Sequence, residues 1–203
     1  TTWNAGTAGI VDVQADSRLY TREANMVLNV PLSGSGNLER IASTGTPSSS
    51  HNAQGTENLT LNGDNAAWTG ALTNKAGKVT IGHVNALGTS AVTHTFESGS
   101  TLDLAGFDLS GQPYTIELAG EGIPIPVGDP AVPTGYAPPG ALINSGATTA
   151  AIGPATLTGD ATIGAGDIDF NGVVDGAHGI TKFAGGTLTL NAANAWGGAT
   201  NLH

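Results

Sequence analysis

The apolar residues of this chain alternate with polar ones in many short segments. Successive side chains of a β-strand point to opposite faces, so each segment predicts a strand with one buried face. The alternating apolar pairs are Leu59 and Leu61, Val79 and Ile81, Leu102 and Leu104, Ile116 and Leu118, Ile168 and Phe170, and Leu188 and Leu190. Residues between them, such as Asp103, are expected to face outward. Almost no segment has helical periodicity, and the best helix candidate lies near residues 15–25, where charged residues cluster.

The spacing of these strands favours a solenoid over a β-sandwich. Leu61, Ile81 and Leu102 follow one another at intervals of about 20 residues, which is the length of one solenoid repeat. A sandwich would more often turn at roughly every 8–12 residues. Gly-, Asn- and Asp-rich runs separate the strands and supply the residues that tight turns favour.

An internal repeat supports the solenoid. Residues 59–70 read LTLNGDNAAWTG and residues 188–198 read LTLNAANAWGG; these are the first and second copies. The stretches upstream match more loosely, and each ends in a cation: 28–40 ends at Arg40 and 170–182 at Lys182. A strand–turn–strand unit therefore occurs at least twice.

Residues 161–202 resemble the autotransporter-associated β-strand repeat, also called the passenger-associated transport repeat. The similarity lies in a GTLTL strand, an Asn-aromatic-Gly-Gly turn and a preceding Gly-rich turn. Stretches 59–104 and 140–163 resemble other parts of the same proteins. Trp68 and Trp196 stand where the family commonly has Tyr. The resemblance implies a right-handed parallel β-helix on an exported, surface-attached or secreted bacterial protein.

Three asparagines directly follow inward apolar positions, where the chain must bend into the next face. They are Asn62, Asn171 and Asn191. Asparagine tolerates the left-handed backbone region and forms local hydrogen bonds in turns. We therefore expect asparagines to stack at the corners between successive coils.

Composition excludes several classes of function. The chain has 203 residues, with 16 acidic residues against 6 Lys and Arg, and a net charge of -10. With so few basic residues, the sequence predicts no positively charged surface for nucleic acid, and the net negative charge is repelled by anionic membrane surfaces. The absence of cysteine excludes thiol catalysis, disulfides and Cys-type zinc sites. No apolar run approaches the roughly 20 residues that span a bilayer.

The strongest candidate metal motif runs from residue 167 to residue 175. Asp167, Asp169, Asn171 and Asp175 fit positions 1, 3, 5 and 9 of a calcium loop, but position 12 is His178 instead of Glu. The alternative, an acidic outer face on a strand, is favoured because a strand cannot wrap its carboxylates around one ion. Asp167 and Asp169 are also a candidate carboxylate pair for cleaving polysaccharides. A single pair at this spacing is common by chance, so we predict no catalytic residues.

The histidines show no paired metal-binding spacing, and we expect them to lie in solvated turns. They are His51, His83, His94, His178 and His203. No nucleophile elbow, phosphate loop or dinucleotide fingerprint is present, so no cofactor is predicted.

Residues 112–139 are rich in proline, which disrupts strand ladders, and predict a loop insertion. The loop either protrudes to contact a partner or folds down over a face of the solenoid. Its candidate contact residues are Tyr114, Ile123, Ile125 and Tyr136.

Together these features predict one all-β domain over 1–203, a right-handed parallel β-helix with an N-terminal cap within 1–26. The expected function is non-enzymatic: a secreted or bacterial cell-surface scaffold, stalk or adhesive fibre segment. The alternative is a carbohydrate-binding or polysaccharide-cleaving β-helix, a lyase or hydrolase, with a groove of charged and aromatic residues, which we do not expect.

The second copy of the internal repeat stops before a further strand. Either the chain is a fragment, or a neighbouring copy completes it head to tail, which gives filaments. Expected partners are such copies, the rest of a longer chain, and surface glycans.

Overall fold

The computed structural model describes residues 2–3, 9–21, 25–42, 57–123 and 139–203. In these ranges every regular element is a β-strand, and the strands pair in parallel. The strands are β1 (Thr2–Trp3), β2 (Val11–Asp12), β3 (Ser17–Thr21), β4 (Met26–Leu28), β5 (Leu32–Ser33), β6 (Leu38–Ala42), β7 (Asn58–Leu61), β8 (Leu72–Asn74), β9 (Gly77–Ile81), β10 (Thr93–Phe96), β11 (Ser100–Asp103), β12 (Thr115–Gly120), β13 (Leu142–Ile143), β14 (Ala150–Ile152), β15 (Ala155–Ile163), β16 (Ile168–Phe170), β17 (Val174–Gly176), β18 (Ile180–Lys182), β19 (Leu188–Leu190), β20 (Ala195–Trp196) and β21 (Thr200–Leu202).

The strands wind into a three-faced solenoid of about 8 turns, which confirms the predicted parallel β-helix. Face 1 comprises β2, β5, β14, β16 and β19, with bridges at Trp68 and Asp108 between β5 and β14. Face 2 comprises β3, β6, β8, β10, β12, the first part of β15, β17 and β20. Face 3 comprises β1, β4, β7, β9, β11, β13, the last part of β15, β18 and β21. The single long strand β15 therefore crosses from face 2 to face 3.

Inward side chains stack into columns that form the core. The register of face 3 aligns Met26, Leu59, Val79, Leu102, Leu142 and Ile163. All of these except Met26 are fully buried, so the predicted alternation of inward and outward residues is confirmed there. Leu190 departs from the pattern and is 37% exposed. Its strand, β19, pairs on one side only within the described chain, so no further coil covers it.

The helix candidate near 15–25 is wrong over its described residues, 15–21 and 25. Those residues include β3, which pairs in parallel with β6 along its whole length. Its burial alternates: Thr21 is buried, whereas Arg18 and Tyr20 are exposed. Strand pairing with the next coil therefore determines the conformation of this segment, although its local charge pattern suggested a helix. The described part of 1–26 contains only strands and connecting turns.

The prediction of a loop over 112–139 is wrong in its first part, which contains a strand. β12 lies inside that range and pairs with β10 and β15, so this part belongs to the solenoid. Residues 124–138, which hold five of the seven prolines of the predicted range, lie outside the described residues. After the gap the chain resumes its ladder at β13.

The two copies of the internal repeat occupy different faces. The first copy leaves face 3 and enters face 1, whereas the second leaves face 1 and enters face 2. Their corners nevertheless use the same bond to the preceding coil. Leu32 N–H donates to Asn65 Oδ1, and Val174 N–H donates to Asn194 Oδ1, each at 2.7 Å. The repeat therefore encodes a strand–corner–strand unit that fits at least two different corners of the solenoid.

Candidate functional site

Charged side chains form a row on the outer side of face 2. Arg18 Nε lies 2.8 Å from Glu39 Oε1, and Lys75 Nζ lies 2.7 Å from Glu97 Oε1 and 3.9 Å from Glu39 Oε2. The four residues come from β3, β6 and the ends of β8 and β10, and thus from four successive coils. Opposite charges on neighbouring strands stabilise a sheet modestly.

A groove of about 300 Å³ opens beside this row, at the corner that precedes face 2. Its polar lining includes Asp16, Arg18, Asn37, Glu39 and Thr73, and no aromatic residue lines it. The sequence predicted no groove lined by both charged and aromatic residues, because basic and aromatic residues are few; this groove is charged but has no aromatic residue in its lining. The signal that could have found it is the alternation of Arg18 and Tyr20 with less polar neighbours.

The candidate calcium residues spread over two faces. Asp169 lies on β16 of face 1, whereas Asp175 lies on β17 of face 2. Asp167 Oδ1 accepts a hydrogen bond from Thr187 N–H at 2.7 Å. Asn171 instead bonds to neighbouring corner side chains. The strand expected at Ile168 and Phe170 is confirmed, and both of those side chains are buried.

The candidate contact residues separate into three groups. Tyr114 is buried in the core, so its assignment to a protruding loop is wrong: it directly precedes β12 and points inward. Ile123 is half-buried, and its N–H donates to Thr101 Oγ1 at 3.1 Å. Ile125 and Tyr136 lie outside the described residues.

Arg40 is fully buried at the corner between faces 2 and 3. Its guanidinium donates to Thr21 Oγ1 at 2.9 Å, to Asn74 Oδ1 at 3.2 Å and to Glu57 O at 2.6 Å, and also to Ala76 O. Burial lowers the pKa of Arg40 to about 10, and the Glu57 carboxylate opposes that shift. These partners belong to three successive coils, so Arg40 ties the coils together instead of facing a ligand.

Lys182, at the end of β18 on face 3, is also buried and binds backbone carbonyls at a corner. We call Arg40 and Lys182 corner clamps. Its ammonium donates to Gly164 O at 2.7 Å and to Ala184 O at 3.0 Å, with longer contacts to the carbonyls of Phe183 and Gly185. Burial lowers the pKa of Lys182, and the Asp167 carboxylate partly opposes this. The cations that end the two upstream stretches are therefore both internal corner clamps.

His94 lies in the core, contrary to the expectation of a solvated turn. Leu72 N–H donates to His94 Nδ1 at 3.0 Å, which leaves the proton of the neutral ring on Nε2. The ring packs edge-on against Tyr114 at 4.8 Å and lies 6.1 Å from Trp68. Burial lowers the pKa of His94 to about 4, and the Leu87 backbone offsets a small part of this. His94 Nε2 and the Tyr114 hydroxyl have no hydrogen-bond partner within the described chain.

The remaining histidines that the structure describes, His83, His178 and His203, do not gather into a site. His83 and His178 are partly exposed and each lies 3.9 Å from an aspartate, while His203 contacts the ring of Phe183. His51 lies outside the described residues. Among the residues that the structure places, no three His, Asp or Glu side chains form a group that could hold a metal ion.

Asp103 lies on the outer side of β11, as predicted, yet it is buried. Its carboxylate accepts bonds from Ser145 N–H at 3.0 Å, Ser145 Oγ at 2.8 Å and Ala105 N–H at 3.1 Å. Lys78 Nζ lies 3.1 Å away and pairs with its charge. The corner of the next coil has therefore closed over this carboxylate, which fixes the loop between β13 and β14.

The predicted asparagine stacking is present at two corners. Asn62 Nδ2 donates to Asn29 Oδ1, and Asn191 Nδ2 donates to Asn171 Oδ1, each at 2.7 Å. These side chains are exposed, so the bonds join successive coils on the outside of the solenoid.

No family model, curated protein or solved structure matches the sequence. The class of protein is therefore defined by the fold itself, a parallel β-solenoid whose polar corners are tied by side chains. No helix in the described ranges is long and apolar enough to cross a membrane.

Proposed function

We propose that this chain is a non-enzymatic extracellular structural protein, a rigid scaffold, stalk or adhesive fibre segment of a bacterial surface. The carrying observation is the stacking of coils along three faces, which is continuous along faces 2 and 3. With strands about 4.8 Å apart, eight coils form a rod about 38 Å long. Such a rod holds whatever it carries at a fixed distance and orientation.

Several contacts support a role in bearing load along the rod. Asparagine pairs join coils outside, while Arg40 and Lys182 join them inside. The bonds Asn62–Asn29, Asn191–Asn171, Arg40–Asn74 and Lys182–Gly164 join residues 33, 20, 34 and 18 positions apart in sequence, and therefore join coils. Pulling the coils apart would break these bonds together with the strand ladders.

The resemblance to autotransporter-associated repeats supports an exported, surface-attached or secreted location. The absence of cysteine and the low charged fraction of 11% are compatible with export in an extended state. The proposed partners are the rest of a longer chain or further copies.

Electron microscopy and small-angle scattering of the purified 203-residue chain test the rod. The expected particle is an elongated body with the cross-section of one solenoid. A flexible or spherical particle would contradict the proposal. Incubation with a panel of polysaccharides should release no reducing ends or unsaturated sugars. Measurable cleavage would contradict the non-enzymatic proposal and favour an enzymatic function.

Sedimentation across a wide concentration range tests head-to-tail association. Leu202 is 77% exposed, Leu190 is 37% exposed and Trp196 is half-buried, all on the last described coil. Self-association through this coil predicts rods of increasing length as concentration rises. Leu202→Lys should shorten the rods. Ile10→Lys changes an exposed apolar residue near the first described coil, so comparing the two variants shows which end of the solenoid is needed for association. A monomer at every concentration would eliminate association between copies.

A further inference from the structure

We propose that the groove beside face 2 binds a neutral saccharide through Asp16, Arg18 and Asn37, and that the exposed ring of Tyr20, outside the groove lining, extends this site along β3. The groove volume of about 300 Å³ is enough for a small sugar. This goes beyond the scaffold role, because a rod needs no ligand. It gives the rod an attachment point on one defined face.

Corner hydrogen bonds hold the polar groups of the groove in place. Asn37 N–H donates to Asp16 Oδ1 at 3.0 Å, and Ala71 N–H donates to Asn37 Oδ1 at 2.9 Å. Each side chain therefore uses one oxygen to bind the next coil. The second carboxylate oxygen of Asp16 accepts, and the amide nitrogen of Asn37 donates, so the pair suits neighbouring sugar hydroxyls.

Arg18 is fixed in the same way. Its Nε lies 2.8 Å from Glu39 Oε1, and its side chain is 75% exposed. The planar guanidinium has five donors in a fixed fork, so its terminal nitrogens remain for a ligand in the groove. Groups held in advance lose little entropy when a ligand binds.

Tyr20 supplies an apolar surface next to these polar groups. It lies two positions after Arg18 on β3, on the same outer side, and is 53% exposed. Its register partner on β6 is Ile41, which is half-buried. An exposed aromatic ring presents an apolar face and a polar hydroxyl, which matches the mixed surface of a sugar ring.

The charge balance selects a neutral ligand. Asp16, Arg18 and Glu39 leave the groove with one excess negative charge, and the whole chain carries -10. Lys75 lies beyond Glu39 and is already paired with Glu97. An anionic sugar would meet repulsion from this field, whereas hydroxyl groups would not.

An oligosaccharide array tests the proposal with the complete 203-residue chain. The array carries neutral oligosaccharides of glucose, galactose, mannose and N-acetylglucosamine, with uronate-containing and sulfated chains as separate arms. The expected result is binding to at least one neutral saccharide. Binding to the anionic arms alone, or to none, overturns the proposal.

Calorimetry with the neutral saccharide then locates the site. Tyr20→Ala and Arg18→Ala should each weaken binding about 10-fold or more, the loss expected for one buried aromatic or charged contact. Thr181→Ala, on the outer side of face 3, is the matched control and should bind like wild type. Undiminished binding by both groove variants overturns the proposal. Thermal melts show whether each variant keeps its fold, and particle shape in electron microscopy separately tests the scaffold.

Discussion

Acidification should destabilise this solenoid through a single buried histidine. His94 has a folded pKa of about 4, against 6.5 for an unperturbed histidine. Between those values the unfolded chain binds more protons than the folded one, so stability falls as pH falls. The stabilising contribution is complete above pH 6.5 and is lost as the pH approaches 4. The difference corresponds to about 3 kcal/mol.

The comparison that isolates this effect uses His94→Asn. The asparagine oxygen can still accept the bond from Leu72 N–H, but the side chain does not titrate. Unfolding by guanidinium is followed between pH 4.5 and 7.5 through Trp68, which is buried near His94. A background with Trp3→Phe and Trp196→Phe leaves Trp68 as the only tryptophan in the sequence.

Wild type should lose about 2 to 3 kcal/mol more than His94→Asn over this pH range. His178→Asn removes a partly exposed histidine and should keep the wild-type pH profile. Parallel pH profiles for wild type and His94→Asn would refute the assignment of a neutral buried ring.

Five further substitutions test how the solenoid is built, each by its change in unfolding free energy. Arg40→Met should cost about 3 kcal/mol, because it leaves buried carbonyls without a donor; an unchanged melt would show that the clamp is dispensable. Lys182→Met should cost less, about 1 to 2 kcal/mol, because the last two coils around it are more exposed. Leu61→Asp should cost about 4 kcal/mol or more, whereas the adjacent outward Thr60→Asp should stay within about 0.5 kcal/mol. Leu190→Asp should fall between them, since that side chain is 37% exposed, and equal losses for all three would invalidate the inward–outward register.

Sequence periodicity was enough to predict the strands of the middle coils and their inward side. Those positions follow a period of two because one side of each strand faces the apolar interior and the other side faces water. The same rule failed for 15–25, where frequent charges suggested a helix. On β3 the charges occupy outward positions, so alternation was present but its apolar half consists of Leu19 and a buried Thr21.

The candidate site could be predicted only in part. The charged groove arises where the corner before β3 stacks on the corner before β6, and their residues are 21 positions apart. Which residues meet across coils depends on the length of each coil. The chain between β6 and β7 includes 43–56, so the partners Arg40 and Asn74 are 34 positions apart, against 22 for Lys75 and Glu97. A constant period therefore cannot align the first two coils with the rest.

The polar residues inside the solenoid show what the alternation rule does predict. Arg40 is two residues after Leu38, His94 is two before Phe96, and Lys182 is two after Ile180, so inward parity marks all three. Each of them meets backbone groups: Arg40 and Lys182 donate to carbonyls, and His94 accepts from an amide. A strand in the middle of a face has its backbone groups paired with the neighbouring coils, but a chain that bends at a corner leaves some of them unpaired. A long polar side chain at inward parity next to a corner can reach those groups and replace the missing ladder bonds. In a parallel solenoid, a long polar residue at an inward position next to a corner therefore predicts a side chain that joins coils, and this interpretation is preferred over a ligand site.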